Sequence, residues 1–172
     1  QALTRVLVPV MPHQAEDIWQ NTPECQRNGL ISILLSDWAK PNSQWNNPEL
    51  EKEFTQILKV REIVTKAIEP LRAEKKIGSS LETAVHIITD NAELLKKYEK
   101  ELCNIFITSQ AYVVTEKPAD VMNEYEEDGY SVYVTKAEGE KCERCWKYRP
   151  LGLHDGYETI CEDCYNAVLA KD

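Results

Sequence analysis

Two Cys-x-x-Cys pairs near the C-terminus constrain this chain more than any other feature. They are Cys142-x-x-Cys145 and Cys161-x-x-Cys164, separated by fifteen residues. Each pair can wrap a tight turn around one face of a tetrahedral ion, and two turns supply four thiolates. Four thiolates close the coordination sphere and leave no position for a substrate, so an ion held there is structural. Zinc is the expected ion, one per chain; iron in a rubredoxin-like site has the same ligand count. A redox pair or unpatterned thiols fit less well, because two matched pairs suit one metal better than one redox couple. His154 lies between the pairs and reads as a surface residue, since the four thiolates suffice.

The chain has 172 residues, 42% hydrophobic and 28% charged, enough for one large domain or a medium domain with a small module. Its apolar runs, such as Val6–Met11 and Leu30–Leu35, are too short to span a membrane. Gln1-Ala2-Leu3-Thr4-Arg5 is not a signal peptide, and the start without methionine reads as a piece of something longer. Cys25 and Cys103 are unpatterned and read as reduced thiols, one of them buried. The net charge of −9 argues against diffuse binding of nucleic acid. That charge is unevenly spread. Residues 116–128 carry six acids against Lys117, whereas 59–76 carry six bases against three acids.

Apolar spacing predicts helix over 2–11, broken by Pro9 and Pro12, and again at Ala15–Trp19. Gly29–Leu35 has the length and composition of a strand. The strongest helix runs through Leu50, Phe54, Ile57, Val64, Ile68 and Leu71, with Arg61 interrupting its stripe. Acids open it and bases close it, as the helix dipole favours. Pro70 is expected to kink it and Gly78-Ser79-Ser80 to stop it. Strands are expected at 83–89, 105–108, 111–115 and 130–134. A helix over 91–103 is expected to be capped by Asp90, and a loop is expected at 116–129. The fold class is thus α+β: a helical portion over 1–80, a small mixed α/β portion over 81–140, and a zinc-binding module over 141–172.

Around the first pair the sequence reads Lys141-Cys-Glu-Arg-Cys-Trp-Lys-Tyr-Arg149. Arg144, Lys147 and Arg149 can reach phosphates, and Trp146 and Tyr148 offer faces for base stacking. Alternatively, Trp146 packs over the metal loop, because so small a module has little core.

Four stretches, in order, carry a resemblance. They are Leu7–Trp19, Ser32–Trp38, Arg72–Glu82 with its Lys-Lys-Ile-Gly-Ser-Ser-Leu-Glu, and Lys141–Tyr148 with Cys161-x-x-Cys164. Together they resemble the C-terminal region of a bacterial-type isoleucyl-tRNA synthetase, over nearly the whole chain. The resemblance implies a helical anticodon-binding bundle followed by the mixed portion and a terminal zinc peptide. The implied partner is tRNA(Ile), with no DNA and no membrane, and the implied state is a monomer in the cytoplasm or an organelle. It implies contacts from Trp146, Arg144 and Lys147, and from Arg72, Lys75 and Lys76 at a helix end. An ordinary solvated helix end is the alternative for the last three. His13 is expected to be structural, and Trp19, Trp38 and Trp45 to be core or loop anchors. The family's adenylate-forming signatures do not occur here, so no catalytic residue is assigned; ATP belongs to the parent's catalytic domain. Asp163 departs from the family's basic second knuckle. The tail of a valyl-, leucyl- or methionyl-type synthetase, a zinc-finger DNA glycosylase tail and a structural zinc adaptor are the alternatives.

Overall fold

The computed structural model describes residues 2–170. They form two compact units, dividing after Pro48.

The first unit is built on helices α1 (Ala2–Leu7) and α2 (Pro12–Gln20). Pro12 occupies the first turn of α2, where its missing N–H costs nothing. Ala15, Trp19 and Ile33 form a small core, with Leu7, Val8 and Leu30 packed on it. The indole N–H of Trp19 donates to the Leu30 carbonyl at 3.1 Å, which satisfies its one polar atom. Gly29–Leu35 is not a strand. Only Ile33 is buried, while Ile31, Leu34 and Leu35 are exposed, and Ile33–Leu35 is a 3-10 turn. Local polar bonds displaced strand geometry here. Ser32 Oγ accepts from the Leu34 N–H at 3.2 Å, and Glu16 receives Ser32 Oγ at 2.7 Å and the Ile33 N–H at 3.1 Å. The Ser32 hydroxyl and then Gln20 hold the Glu16 carboxyl below the usual carboxylate range.

The second unit opens with the long helix α3 (Pro48–Ala73). It continues through β1 (Thr83–Thr89), α4 (Glu93–Lys97), α5 (Glu99–Ile105), β2 (Gln110–Val113), β3 (Asn123–Glu127) and β4 (Tyr130–Lys136). It ends with the short strands β5 (Glu140–Lys141) and β6 (Tyr148–Arg149) and helix α6 (Glu162–Leu169). The main sheet has the order β2-β1-β4-β3, with β1 parallel to β2 and the other pairs antiparallel. Val85 stands between Ala111 and Val134, and Ile87 opposite Val132, so β1 buries its core face at the centre of the sheet. Ile57, Val60, Val64, Ala67, Ile68 and Leu71 on α3 share one core with Val85, Ile87, Val132 and Val134. Leu95, Leu102 and Phe106 close it from α4, α5 and the residue after α5. The core therefore runs across residue 80, where sequence composition suggested a boundary.

Several local expectations are corrected. The α3 stripe lacks Leu50, which is exposed, and gains Val60 and Ile63. α3 continues through Pro70 to Ala73. It stops at Lys75, whose φ of 58° reverses the chain so that the Lys76 N–H bonds Leu71 O at 2.9 Å. Ser79 then caps a 3-10 turn reciprocally with Glu82. Asp90 caps nothing: helix resumes after Ala92 and breaks at Tyr98, giving α4 and α5. The Tyr98 hydroxyl donates to Glu53 on α3 at 2.6 Å. The 105–108 segment is the end of α5 and a turn through Ile107, at φ 58°, not a strand. The 116–129 segment is not all loop, because β3 lies within it. Asp128 and Gly129, at φ 52° and 77°, form a two-residue hairpin turn to β4.

Candidate metal centre and nucleic-acid contacts

Cys142 and Cys145 lie on the turn between β5 and β6, a two-stranded ribbon paired through Glu140–Arg149 and Lys141–Tyr148. The Cys142 N–H donates to Lys147 O at 2.9 Å and the Trp146 N–H to Cys142 O at 2.8 Å. Closing so tight a turn puts Trp146 at φ 64°, in the left-handed region a side chain disfavours. Cys161 stands at the N-cap of α6 and Cys164 in its first turn. The four sulfurs lie within 4.8 Å of one another, and Cys142, Cys161 and Cys164 are buried.

The spacing fits one tetrahedral ion. A 2.3 Å zinc–sulfur bond places tetrahedral sulfurs about 3.8 Å apart. Cys142–Cys164 and Cys145–Cys161 are each 3.7 Å apart. That is far beyond a disulfide bond of about 2.05 Å, and all six cysteines are free thiols. Burial works against ionising Cys142, but backbone N–H groups of Cys145, Cys161 and Arg144 outweigh it and hold the thiol down at about 6. Burial, aided by the neighbouring thiols, pushes Cys145 up to about 12, and burial raises Cys161 as well. A divalent cation reverses that penalty by neutralising the thiolates it holds. His154 takes no part: it stacks on Tyr165 with ring centroids 3.6 Å apart and bonds Glu162 at 2.7 Å.

The cysteine turns are bound to the main sheet by side chains with no sequence signature. The Tyr148 N–H donates to Ser109 Oγ at 2.6 Å, and Ser109 Oγ donates to Leu81 O at 2.5 Å. The Gln110 amide donates to Tyr148 O at 2.8 Å and Glu138 O at 3.0 Å, and accepts from the Glu138 N–H at 3.2 Å. Lys147 bonds Asn104, and both Lys147 and Arg149 reach the buried Cys103 sulfur at 3.5 Å. Only the exchange of donors and acceptors at the start of β2 marks this seam, and it becomes visible once the strand register is known.

The structure separates the expected RNA contacts. Trp146 is 61% exposed, with the Lys141 ammonium 5.5 Å from its ring centroid, so it does not pack over the metal loop. Arg144 is exposed too, whereas Lys147 turns onto α5. These two, with Lys100 and Arg149, line a cleft of about 750 Å³ that also holds Glu101 and Asp163. Four thiolates around a zinc carry two excess negative charges, so the four cations there are balanced. Asp163, the departure in the second knuckle, pairs with Arg149 at 3.3 Å. Arg72 pairs with Glu69 at 2.9 Å and Lys76 with Glu74 at 2.7 Å; all are exposed, as is Lys75. In the first unit His13 is exposed rather than structurally enclosed, Trp19 is core, and Trp38 is 62% exposed. Trp45 is exposed as well.

Comparison with known proteins agrees with this geometry. Residues 1–87 match the model of the anticodon-binding domain of tRNA ligase. The chain belongs to that anticodon-binding family. Residues 139–167 of this family member match a zinc finger found in FPG and IleRS, so the four-cysteine cluster is a structural zinc site. The isoleucine–tRNA ligase of Gloeobacter violaceus is 37% identical over 98% of this chain and 17% of its own length. Those of Moorella thermoacetica and Microcystis aeruginosa are 35% and 36% identical over 96% and 97% of the chain. The chain spans 17–19% of these relatives. The resemblance drawn from its motifs, to the C-terminal region of an isoleucyl-tRNA synthetase, is borne out. No described helix is long and apolar enough to cross a membrane.

Proposed function

We propose that this chain is the anticodon-recognising tail of an isoleucine–tRNA ligase and that it engages the anticodon stem-loop of tRNA(Ile). Cys142, Cys145, Cys161 and Cys164 are the zinc ligands in this reading, and the zinc fixes the turn that carries Trp146. Zinc supplies no chemistry to a substrate here; it replaces the core that so small a module lacks. The observation that carries the reading is the exposed ring of Trp146, fixed at φ 64° between β5 and β6. Anticodon bases are unpaired and can stack on such a ring, while phosphate contacts set register. Arg144 is the phosphate contact nearest in sequence, with Arg72, Lys75 and Lys76 as a second, solvated group. Lys147 has a positioning role, since its ammonium is held by Asn104. Adenylate formation belongs to other parts of the parent, and the protein acts as a cytoplasmic monomer.

Titration of the chain with anticodon stem-loops of matched and swapped sequence tests the reading. Matched RNA should bind more tightly. Trp146→Ala should weaken that binding by about 1–3 kcal/mol, the range for one lost base–aromatic stack. Unchanged affinity in a folded Trp146→Ala protein removes the stacking role.

A further inference from the structure

Strand β3 ends the main sheet. It pairs with β4 alone, and among the described residues no backbone group of 123–127 bonds any other segment. An open edge of this kind is a template for a further strand. Val132 and Val134 of β4 are buried in the core, so Ser131 and Tyr133 stand on the opposite face. Their register partners Glu126 and Glu124 stand there with them. These four residues, with Lys117 and Tyr125, line a cavity of about 380 Å³. That face already holds an ammonium group. Lys117, from the segment before β3, bonds the Glu124 carboxylate, and its Nζ lies 5.2 Å from the Tyr133 ring centroid. The other face repeats the arrangement with Lys66, which bonds Glu127 at 2.8 Å and lies 5.9 Å from the Tyr125 centroid. A carboxylate beside a tyrosine face is therefore how this hairpin holds a cation. Glu126 is exposed and makes no ion pair among the described residues, so one such position stands open. Six acids against Lys117 over 116–128 make the edge negative, which disfavours pairing with a second copy of itself.

We propose that β3 is a docking edge for an extended basic peptide of a partner protein, which adds to the sheet with lysine or arginine at alternate positions beside Glu124 and Glu126. Backbone bonds to the open edge would supply affinity, and the two carboxylates would select the peptide. Opposite charges directly across two strands favour that register. Lys117 is then an internal competitor that holds Glu124 until a partner's cation takes its place. The proposal goes beyond the tRNA reading, since a surface of this sign repels phosphate.

The test is fluorescence anisotropy of a short labelled peptide in which lysine alternates with valine, titrated with the zinc-loaded 172-residue chain. The same peptide with glutamate for lysine, and one N-methylated along its backbone, are the comparisons. The lysine peptide should bind and the glutamate peptide should not. N-methylation should abolish binding, because it removes the donors that a pairing strand needs. Glu126→Gln should weaken the lysine peptide by up to about fivefold, the range for one opposite-charge pair across strands. Lys117→Met should tighten it by a similar factor, a gain that damage to the fold cannot produce. Both side chains are exposed, so the variants should keep the wild-type circular dichroism. Equal binding of the lysine and glutamate peptides, equal binding after N-methylation, or unchanged affinity in Lys117→Met would each overturn the proposal. Self-association on replacing Glu124 and Glu126 by glutamine, with no peptide bound by the unmodified chain, would show that the acids only guard the edge and would also overturn it. Failure here leaves the tRNA reading intact, since no residue of that reading lies on β3 or β4.

Discussion

Gly139 shows how one residue can govern the zinc module. Its φ is +95°, and a Cβ there would meet the Arg149 carbonyl carbon at 2.6 Å and its oxygen at 2.7 Å. Both atoms are backbone, so nothing nearby can rotate away. Gly139→Ala should therefore force the chain leading into β5 away from β6, at a cost of about 3 kcal/mol. A fall in melting temperature of roughly 5–10 °C, together with weaker zinc retention, is the expected result in a thermal melt with a zinc indicator. An unchanged melt would show that the two backbones do not need this approach. The metal ligands were legible at this scale because thiolate chemistry is written in residue type and spacing. Trp146 was only half legible: its identity suggested stacking, but its exposure depends on a left-handed turn that no residue type announces. Gly139 was not legible at all, since the atoms it must admit belong to Arg149, ten positions away.

Among the elements, the attachment of α4 to α3 makes a pH prediction. Lys97 bonds Glu53 at 2.7 Å, and Tyr98 bonds the same carboxylate at 2.6 Å. The Lys97 ammonium first, then the Tyr98 hydroxyl, holds the Glu53 carboxyl below its ordinary value of 4.5. A carboxyl lowered by folding stabilises the fold fully above that ordinary value, and the contribution is lost as pH falls through the lowered one. Melting temperatures of the wild type and Lys97→Met should therefore differ at neutral pH and converge below about pH 4.5. Parallel curves down to pH 2 would show that the contact is not electrostatic. The long helix and β1 were legible because their apolar periods are strong and their lengths exceed any local alternative. Gly29–Leu35 and 105–108 misled because short apolar runs take whatever geometry their polar neighbours and available partners allow. β3 was obscured by its acids, which sit on a strand that pairs with β4 alone. The Asp128-Gly129 turn was its sequence signal.

For the whole molecule, the seam between the cysteine turns and the sheet decides what zinc loss does. A module of 141–172 that depended on its metal alone would unfold by itself on chelation. Ser109 and Gln110 hold Tyr148 and Glu138, and Asn104 holds Lys147, so the loss should spread into the end of α5 and the start of β2. Hydrogen exchange after chelation should show lost protection at 142–164 and weakened protection around 104–111. Amides of α3 opposite the main sheet should remain protected, because their core contains no residue of the cysteine turns. Loss confined to 142–164 would show that the seam carries no stability. The sequence by itself determined the metal site, the family and the major helix and strands, because ligand spacing, motif order and apolar period are properties of the chain read in line. Only the tertiary structure decided which aromatics face solvent, which cations are already balanced and what anchors the zinc module. Those outcomes depend on burial and on partners from distant segments, which are set when α5, β2 and the cysteine turns pack together.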